Sequence, residues 1–198
     1  MPIFLKVIVI IIITGWVLLL SRQPSLDRDW EVDQKILAEI SFSGSEVDIK
    51  NMRDFVYSSE TEYEVNYYDS TYDLENIVSL DYIIEPFWDF DGPAHTMFSF
   101  WFKDWEYLTI SAEIRKEKWE RFSPFKGIIR EYEMVYMIWS ETDFVKLRAN
   151  YRKDDVIVYP IKTPQEKIQK LFISMLNRAD ELSKKPEFYN TITHNCTT

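Results

Sequence analysis

A chain of 198 residues has room for one domain and an appendage. Its 33 Asp plus Glu against 23 Lys plus Arg give a formal charge of −10, which argues against nucleic acid as a partner and against docking to an anionic membrane by net charge alone. A hydrophobic content of 46% excludes a largely disordered chain, while four Gly, one Cys and two His exclude a glycine-rich phosphate loop, an internal disulfide and a thiolate or His-rich metal centre, so neither metal nor cofactor is expected.

Residues 2–20, PIFLKVIVIIIITGWVLLL, are interrupted by Lys6 alone. As a helix the run spans roughly 28 Å, close to the hydrocarbon thickness of a bilayer. Lys6 near its start, and Asp27, Asp29, Glu31 and Asp33 beyond its end, put the amino terminus in the cytoplasm and the rest outside. A retained anchor over residues 1–21 is preferred to a cleaved signal peptide. Bulky Trp16 and Leu18 to Leu20 close the run, and no A-x-A-like site follows.

Residues 22–29, RQPSLDRD, read as a polar linker, and 30–198 as the domain. Ile36 to Phe42 and Glu46 to Ile49 flank Ser-Gly-Ser as a first hairpin. Strands are expected at Tyr63 to Tyr68 and Ile77 to Ile84, from their β-branched and aromatic residues. A turn at Asp91-Gly92-Pro93 leads into AHTMFSFWF (Ala94 to Phe102), and a second strand follows from Glu106 to Arg115. Further strands are expected at Ile128 to Trp139 and Val156 to Ile161, with a short helix at Thr142 to Tyr151 between them. The clearest helix is Thr163 to Lys185, with Thr163 as N-cap, Pro164 at N1 and Glu166 completing a capping box. Its stripe from Ile168 to Leu182 reads as core packing. Many strands before a late amphipathic helix predict an α+β fold with a mostly antiparallel sheet.

One hairpin supports a site hypothesis. Phe98, Phe100 and Phe102 on one strand and Leu108, Ile110 and Ile114 on the next must share a buried face, so even residues pair with even and odd with odd. A three-residue loop over Lys103 to Trp105 then pairs Phe102 with Glu106 and sets His95 opposite Glu113. A register shifted by two would offer Arg115 instead. A His facing a carboxylate at a sheet end suits the orienting of an imidazole for catalysis. On the hairpin alone, a half-buried His satisfied by a neighbouring acid, with no chemistry, is the preferred reading.

The chain closes on PEFYNTITHNCTT, Pro186 to Thr198. A lone Cys is commonly a small buried hydrophobe, yet Cys196 lies among Thr, His and Asn, a setting that suits an activatable thiol. His194, two residues away, is a poor base at that spacing, and His95 is preferred.

The ordered set RDW (Arg28 to Trp30), NMRDFVY (Asn51 to Tyr57), YDL (Tyr72 to Leu74), AHTMFSFWF, SAEIR (Ser111 to Arg115), REYEMVY (Arg130 to Tyr136) and the closing YNT-x-T-x-NCTT resembles the Lnb N-terminal periplasmic domain family. That family is similar to circularly permuted papain-like thiol enzymes, in which the His precedes the Cys. The resemblance implies Cys196 as nucleophile and His95 as its base; Glu113 matches the Ser-x-Glu-x-Arg stretch, and its role as orienter comes from the register. His194 stands where a polar residue is expected and is not essential. In such enzymes the Cys begins a helix, whereas this sequence stops two residues later, so the domain is read as truncated and as part of a longer chain.

The implied activity is a membrane-anchored acyltransferase. It takes an acyl chain from a phospholipid donor and passes it, through a Cys thioester, to the amino terminus of a bacterial lipoprotein. The implied place is the inner membrane, single-pass, with the domain in the periplasm. A papain-like cell-wall peptidase or amidase, and a catalytically dead envelope binding module, are the alternatives.

Overall fold

The computed structural model of the chain describes residues 2–87, 94–103 and 105–196. Helix α1 (Ile3–Ser21) has a mean hydropathy of 2.9 and no buried residue, and by length and composition it can cross a membrane. The chain then folds through α2 (Val32–Lys35), β1 (Glu39–Ser43), β2 (Glu46–Arg53), β3 (Val56–Tyr57), β4 (Tyr63–Glu64), β5 (Tyr67–Asp73) and β6 (Ile77–Pro86). Next come β7 (Ala94–Phe102), β8 (Tyr107–Arg115), α3 (Pro124–Ile128), β9 (Glu133–Ser140), α4 (Glu141–Val145), β10 (Ile157–Pro160) and α5 (Gln165–Lys184). The main sheet runs β1-β2-β9-β8-β7-β6-β10, with β5 also on β2, and β3–β4 form a separate ribbon. Its ladders are antiparallel except β2 with β9, which meet in parallel at Arg53 and Trp139. The class is α+β, with a mostly antiparallel mixed sheet and a late helix.

Both faces of the sheet are covered. On the even-numbered face of β7 and β8, Phe100, Phe102, Leu108 and Ile110 pack with Ile168, Phe172 and Leu176 of α5. The Phe172 ring sits 4.9 Å from that of Phe100 and 5.5 Å from that of Phe102. On the odd face Met97 joins Ile83, Val135, Met137, Trp139 and Phe144, the last carried by α4. Burial on both sides is why β7 reads as a nearly continuous apolar run. A buried ion pair locks α4 to β2: the Arg53 Nε and Nη2 donate to Asp143 at 2.9 and 2.8 Å. The Arg53 guanidinium also lies 3.7 Å from the Trp139 ring centroid.

Several element boundaries differ from expectation. Residues 36–38 precede β1, and Gly44 takes φ +64° in the turn between β1 and β2. The stretch 63–68 divides between β4 and β5. Residues 128–132 are not strand, because Pro124 starts α3 and Arg130 adopts φ 59° before β9 begins. The helix expected at 142–151 is α4 followed by a π-helical segment, Lys146–Arg152, stopped by Lys153 at φ 63°. The capping box at 163–166 does not form: α5 is capped by Pro164, which offers no side-chain acceptor. The turn at 91–93 and Asp104 of the hairpin loop lie outside the described residues.

Candidate thiol–imidazole site

Strand register brings the first two groups together. The β7–β8 ladder pairs Met97 with Ser111, Phe98 with Ile110 and Trp101 with Tyr107, the expected parity and offset. Continued to the end of β7, that register sets His95 against Glu113. The His95 Nε2 lies 2.9 Å from Glu113 Oε1 and 2.8 Å from Ser111 Oγ. Ser111 Oγ in turn donates to the same Glu113 oxygen at 2.9 Å. Across the other edge of β7, His95 pairs with Glu85 of β6. Arg148, from the π-helical segment, donates through Nε to Glu85 at 2.7 Å and through Nη2 to Glu113 at 3.4 Å. Its guanidinium lies 3.7 Å from the Phe144 ring centroid.

The loop after α5 carries Cys196 back to the start of β7. Met134 N–H donates to Glu187 O and Tyr189 N–H to Tyr132 O, each at 2.9 Å, so the loop is stitched to the start of β9. Asn190 Oδ1 accepts from the backbone N–H groups of Ile192 and Thr193, which closes a tight turn against His194. The Thr96 hydroxyl then donates to Cys196 O at 2.7 Å, and Cys196 Sγ comes to rest 3.9 Å from Ala94 O. Cys196 and His95 line the same cavity.

The electrostatics favour an ion pair. Burial pulls the His95 pKa down, but Glu113 and the bond to Cys196 outweigh it and push the imidazole up to about 10. Burial alone would raise the Cys196 thiol; the bond to His95, its charge and the Thr96 backbone amide outweigh that and lower it. Glu113 is likewise pulled well below the usual carboxylate range, its burial overcome by His95 and Arg148. A proton therefore sits more favourably on the imidazole than on the sulfur, and the carboxylate remains charged to hold it there.

The group opens into a cavity of about 290 Å³ whose wall includes Phe87, Phe122, Tyr189 and Arg152. Cys196 also borders a second cavity, of about 730 Å³, on the α5 face beside Thr96, Phe98, Tyr136 and Met175. Cys196 thus borders two spaces, one on each face of the sheet. His194 is exposed and its Nδ1 lies 2.9 Å from Thr193 Oγ1, and it does not line the cavity that holds His95 and Cys196. Among the described residues no group of three or more His, Cys, Asp or Glu could hold a metal ion.

Sequence reasoning brought His95, Glu113 and Cys196 forward, and the structure brings the three together. It missed Ser111, Thr96, Glu85 and Arg148. Ser111 was within reach of the parity argument, two residues from Glu113 on the same face. Nothing local marks Arg148 or Glu85, whose meeting depends on how the π-helical segment packs across the sheet.

A family model described as the Lnb N-terminal periplasmic domain matches residues 63–198. That span contains every residue of the site. No curated protein and no solved structure matches the chain.

Proposed function

We infer the function of this chain from its family and its thiol: it belongs to the Lnb N-terminal periplasmic domain family, which marks it as a periplasmic envelope protein, and we propose that it is a cysteine-dependent acyltransferase. In this reading residues 1–21 anchor the chain once in the inner membrane, 22–29 link, and 30–198 form the periplasmic enzyme, arranged as a circularly permuted papain-like domain with His before Cys. The observation that supports it best is that Cys196, His95 and Glu113 line one cavity with His95 held by Glu113 at 2.9 Å, since a lone thiol gains nucleophilicity from a nearby base held by a third group.

The Cys196 thiolate attacks the ester carbonyl of a phospholipid. The bond to the glycerol oxygen breaks, His95 gives that oxygen its proton, and a lysophospholipid leaves. The thioester is then attacked by the amino group of a lipoprotein's terminal residue. His95 takes the amine proton, and the C–S bond breaks to return the thiolate. Glu113 orients the ring and holds its charge, and the Cys196 backbone N–H is the proposed oxyanion donor.

Water as acceptor would make the same residues a hydrolase, a reading favoured by the charged Glu85, Arg152 and Asp154 around the first cavity. Intact-protein mass spectrometry after incubation of the vesicle-reconstituted full chain with phospholipid separates the readings. An acyl adduct on the parent, absent in Cys196→Ala, followed by acylation of an added diacylglyceryl-cysteine peptide, is the expected result. His95→Ala should slow the adduct by about 10²–10⁴-fold, and His194→Asn should leave it unchanged. Transfer at the parent rate by Cys196→Ala would overturn the thiol mechanism, and cleavage of a cell-wall peptide without acyl transfer would favour the hydrolase.

A further inference from the structure

The stretch between β8 and β9 has a charge and an exposure pattern unlike the rest of the chain. Residues 116–130, KEKWERFSPFKGIIR, hold five Lys or Arg against two Glu, in a protein of net charge −10. The two acids face inward: Glu117 and Glu120 are buried, and both lie within ion-pair reach of Arg28. Lys118, Arg121 and Arg130 face outward. Between them stand large apolar side chains turned to solvent, with Trp119 69% and Phe125 67% exposed and Phe122 and Ile128 also exposed. Ile192, exposed as well, adjoins them, because neighbouring Thr191 bonds Pro124 O of α3 at 2.8 Å.

Both ends of this stretch are fastened to the chain that has just left α1. At one end Lys118 Nζ pairs with Asp29 at 2.6 Å and Lys118 N–H donates to Asp29 O at 3.0 Å. At the other, Arg130 Nη1 donates to Leu20 O at 3.4 Å, the penultimate residue of α1, and Arg22 pairs with Glu131 at 2.6 Å. The apolar and basic face is therefore held where the anchor helix ends. Aromatic rings interspersed with Lys and Arg are the composition that settles at the headgroup level of a bilayer, the rings in the interface and the cations against anionic lipid.

We propose that the face formed by residues 116–130 rests on the surface of the bilayer that α1 crosses, with Trp119, Phe122 and Phe125 among the headgroups and Arg121 and Arg130 against anionic lipid. The whole-chain charge hides this, and the acids at the two ends of the face, Asp29 and Glu131, are paired with Lys118 and Arg22. The face also reaches the thiol site: the Phe122 ring is 5.9 Å from that of Phe87, which stacks 6.5 Å from His95, and both Phe residues wall the cavity. A substrate drawn from the bilayer would enter past Phe122 without crossing water. The proposal rests on α1 as a retained anchor and is independent of the acyl-transfer reading.

The test uses the full chain in Cys196→Ala form, carrying Phe125→Cys or Glu75→Cys labelled with an environment-sensitive fluorophore. Glu75 lies beside the loop at the far end of the β7–β8 hairpin, whose Lys103 N–H donates to Asn76 O at 3.0 Å. In vesicles of phosphatidylcholine and phosphatidylglycerol with a shallow spin-labelled lipid, the position 125 label should be quenched severalfold more than the position 75 label. Adding Arg121→Glu should weaken quenching when phosphatidylglycerol is present and not when it is absent. A chain that fails to float with the vesicles refutes the anchor and the proposal with it. A floating chain whose two labels quench equally refutes the proposal alone. Quenching at position 125 that disappears on diluting protein in lipid would assign the face to a second copy, and would also overturn it.

Discussion

Burial alone would drive the proton off His95; the carboxylate of Glu113 and the sulfur of Cys196 reverse that, and the ring titrates at about 10 instead of 6.5. The sign of the stability effect follows. A group whose pKa rises on folding contributes fully below its unfolded value, so the His95 contribution is complete below about pH 6.5 and fades toward pH 10. Glu113 moves the other way: its contribution is complete above about pH 4.5 and fades as pH falls toward its lowered folded-state value. The parent chain should therefore exceed Glu113→Gln in urea midpoint most between about pH 4.5 and 6.5, and the gap should narrow toward pH 10. Urea titrations across that range check it, and a gap that widens above neutrality would carry the wrong sign. Parity of apolar residues found this pair because the two strands are adjacent in sequence and the loop between them is short. Cys196 had no such handle, and its pairing with His95 rested on the poor spacing of His194 and on the family motif.

At the scale of elements, α3 and the loop that carries Cys196 are packed together through Gly127. A Cβ built there would lie 2.3 Å from Thr191 Oγ1 and 3.2 Å from two atoms of the Tyr189 ring. The Thr191 hydroxyl could turn away only by giving up its bond to Pro124 O, and the Tyr189 ring is buried. Gly127→Ala should thus cost about 1–3 kcal/mol, seen as a lower thermal midpoint, and should slow alkylation of Cys196 by shifting its loop. A midpoint equal to the parent's would show that the loop has slack. Nothing in the sequence marks this contact. The strand expected over 128–139 overlaps α3 only at Ile128, and Pro124 and Gly127 fall in no expected element. Elements with long periodic runs, such as β7, β8 and α5, were legible; α2, α3 and β3 were not, because each is too short to show a period and is held by distant partners.

Over the whole molecule, one sheet with both faces covered converts a local hairpin into a site. The even face of β7 and β8 is sealed along much of its length by α5, and the odd face by α4 and the π-helical segment, which brings Arg148 to Glu113. The α+β class was legible because alternating strands followed by a single amphipathic helix leave few ways to bury both. The closure of the site was not, since Glu85, Arg148 and Cys196 come from separate parts of the chain. The fold holds a solitary thiol against a charged imidazole at the edge of a cavity, beside a segment fastened to an apolar helix. That thiol is the centre of the account, and its ionisation is measurable without knowing the substrate. Iodoacetamide alkylation of the native full chain, followed from pH 5 to 9, should rise at a lower pH than a free thiol's, because His95 lowers the Cys196 pKa. In His95→Ala the rate should climb with pH as a free thiol's does, by about tenfold per unit below its pKa. A native profile that overlays that of the urea-unfolded chain would contradict the account.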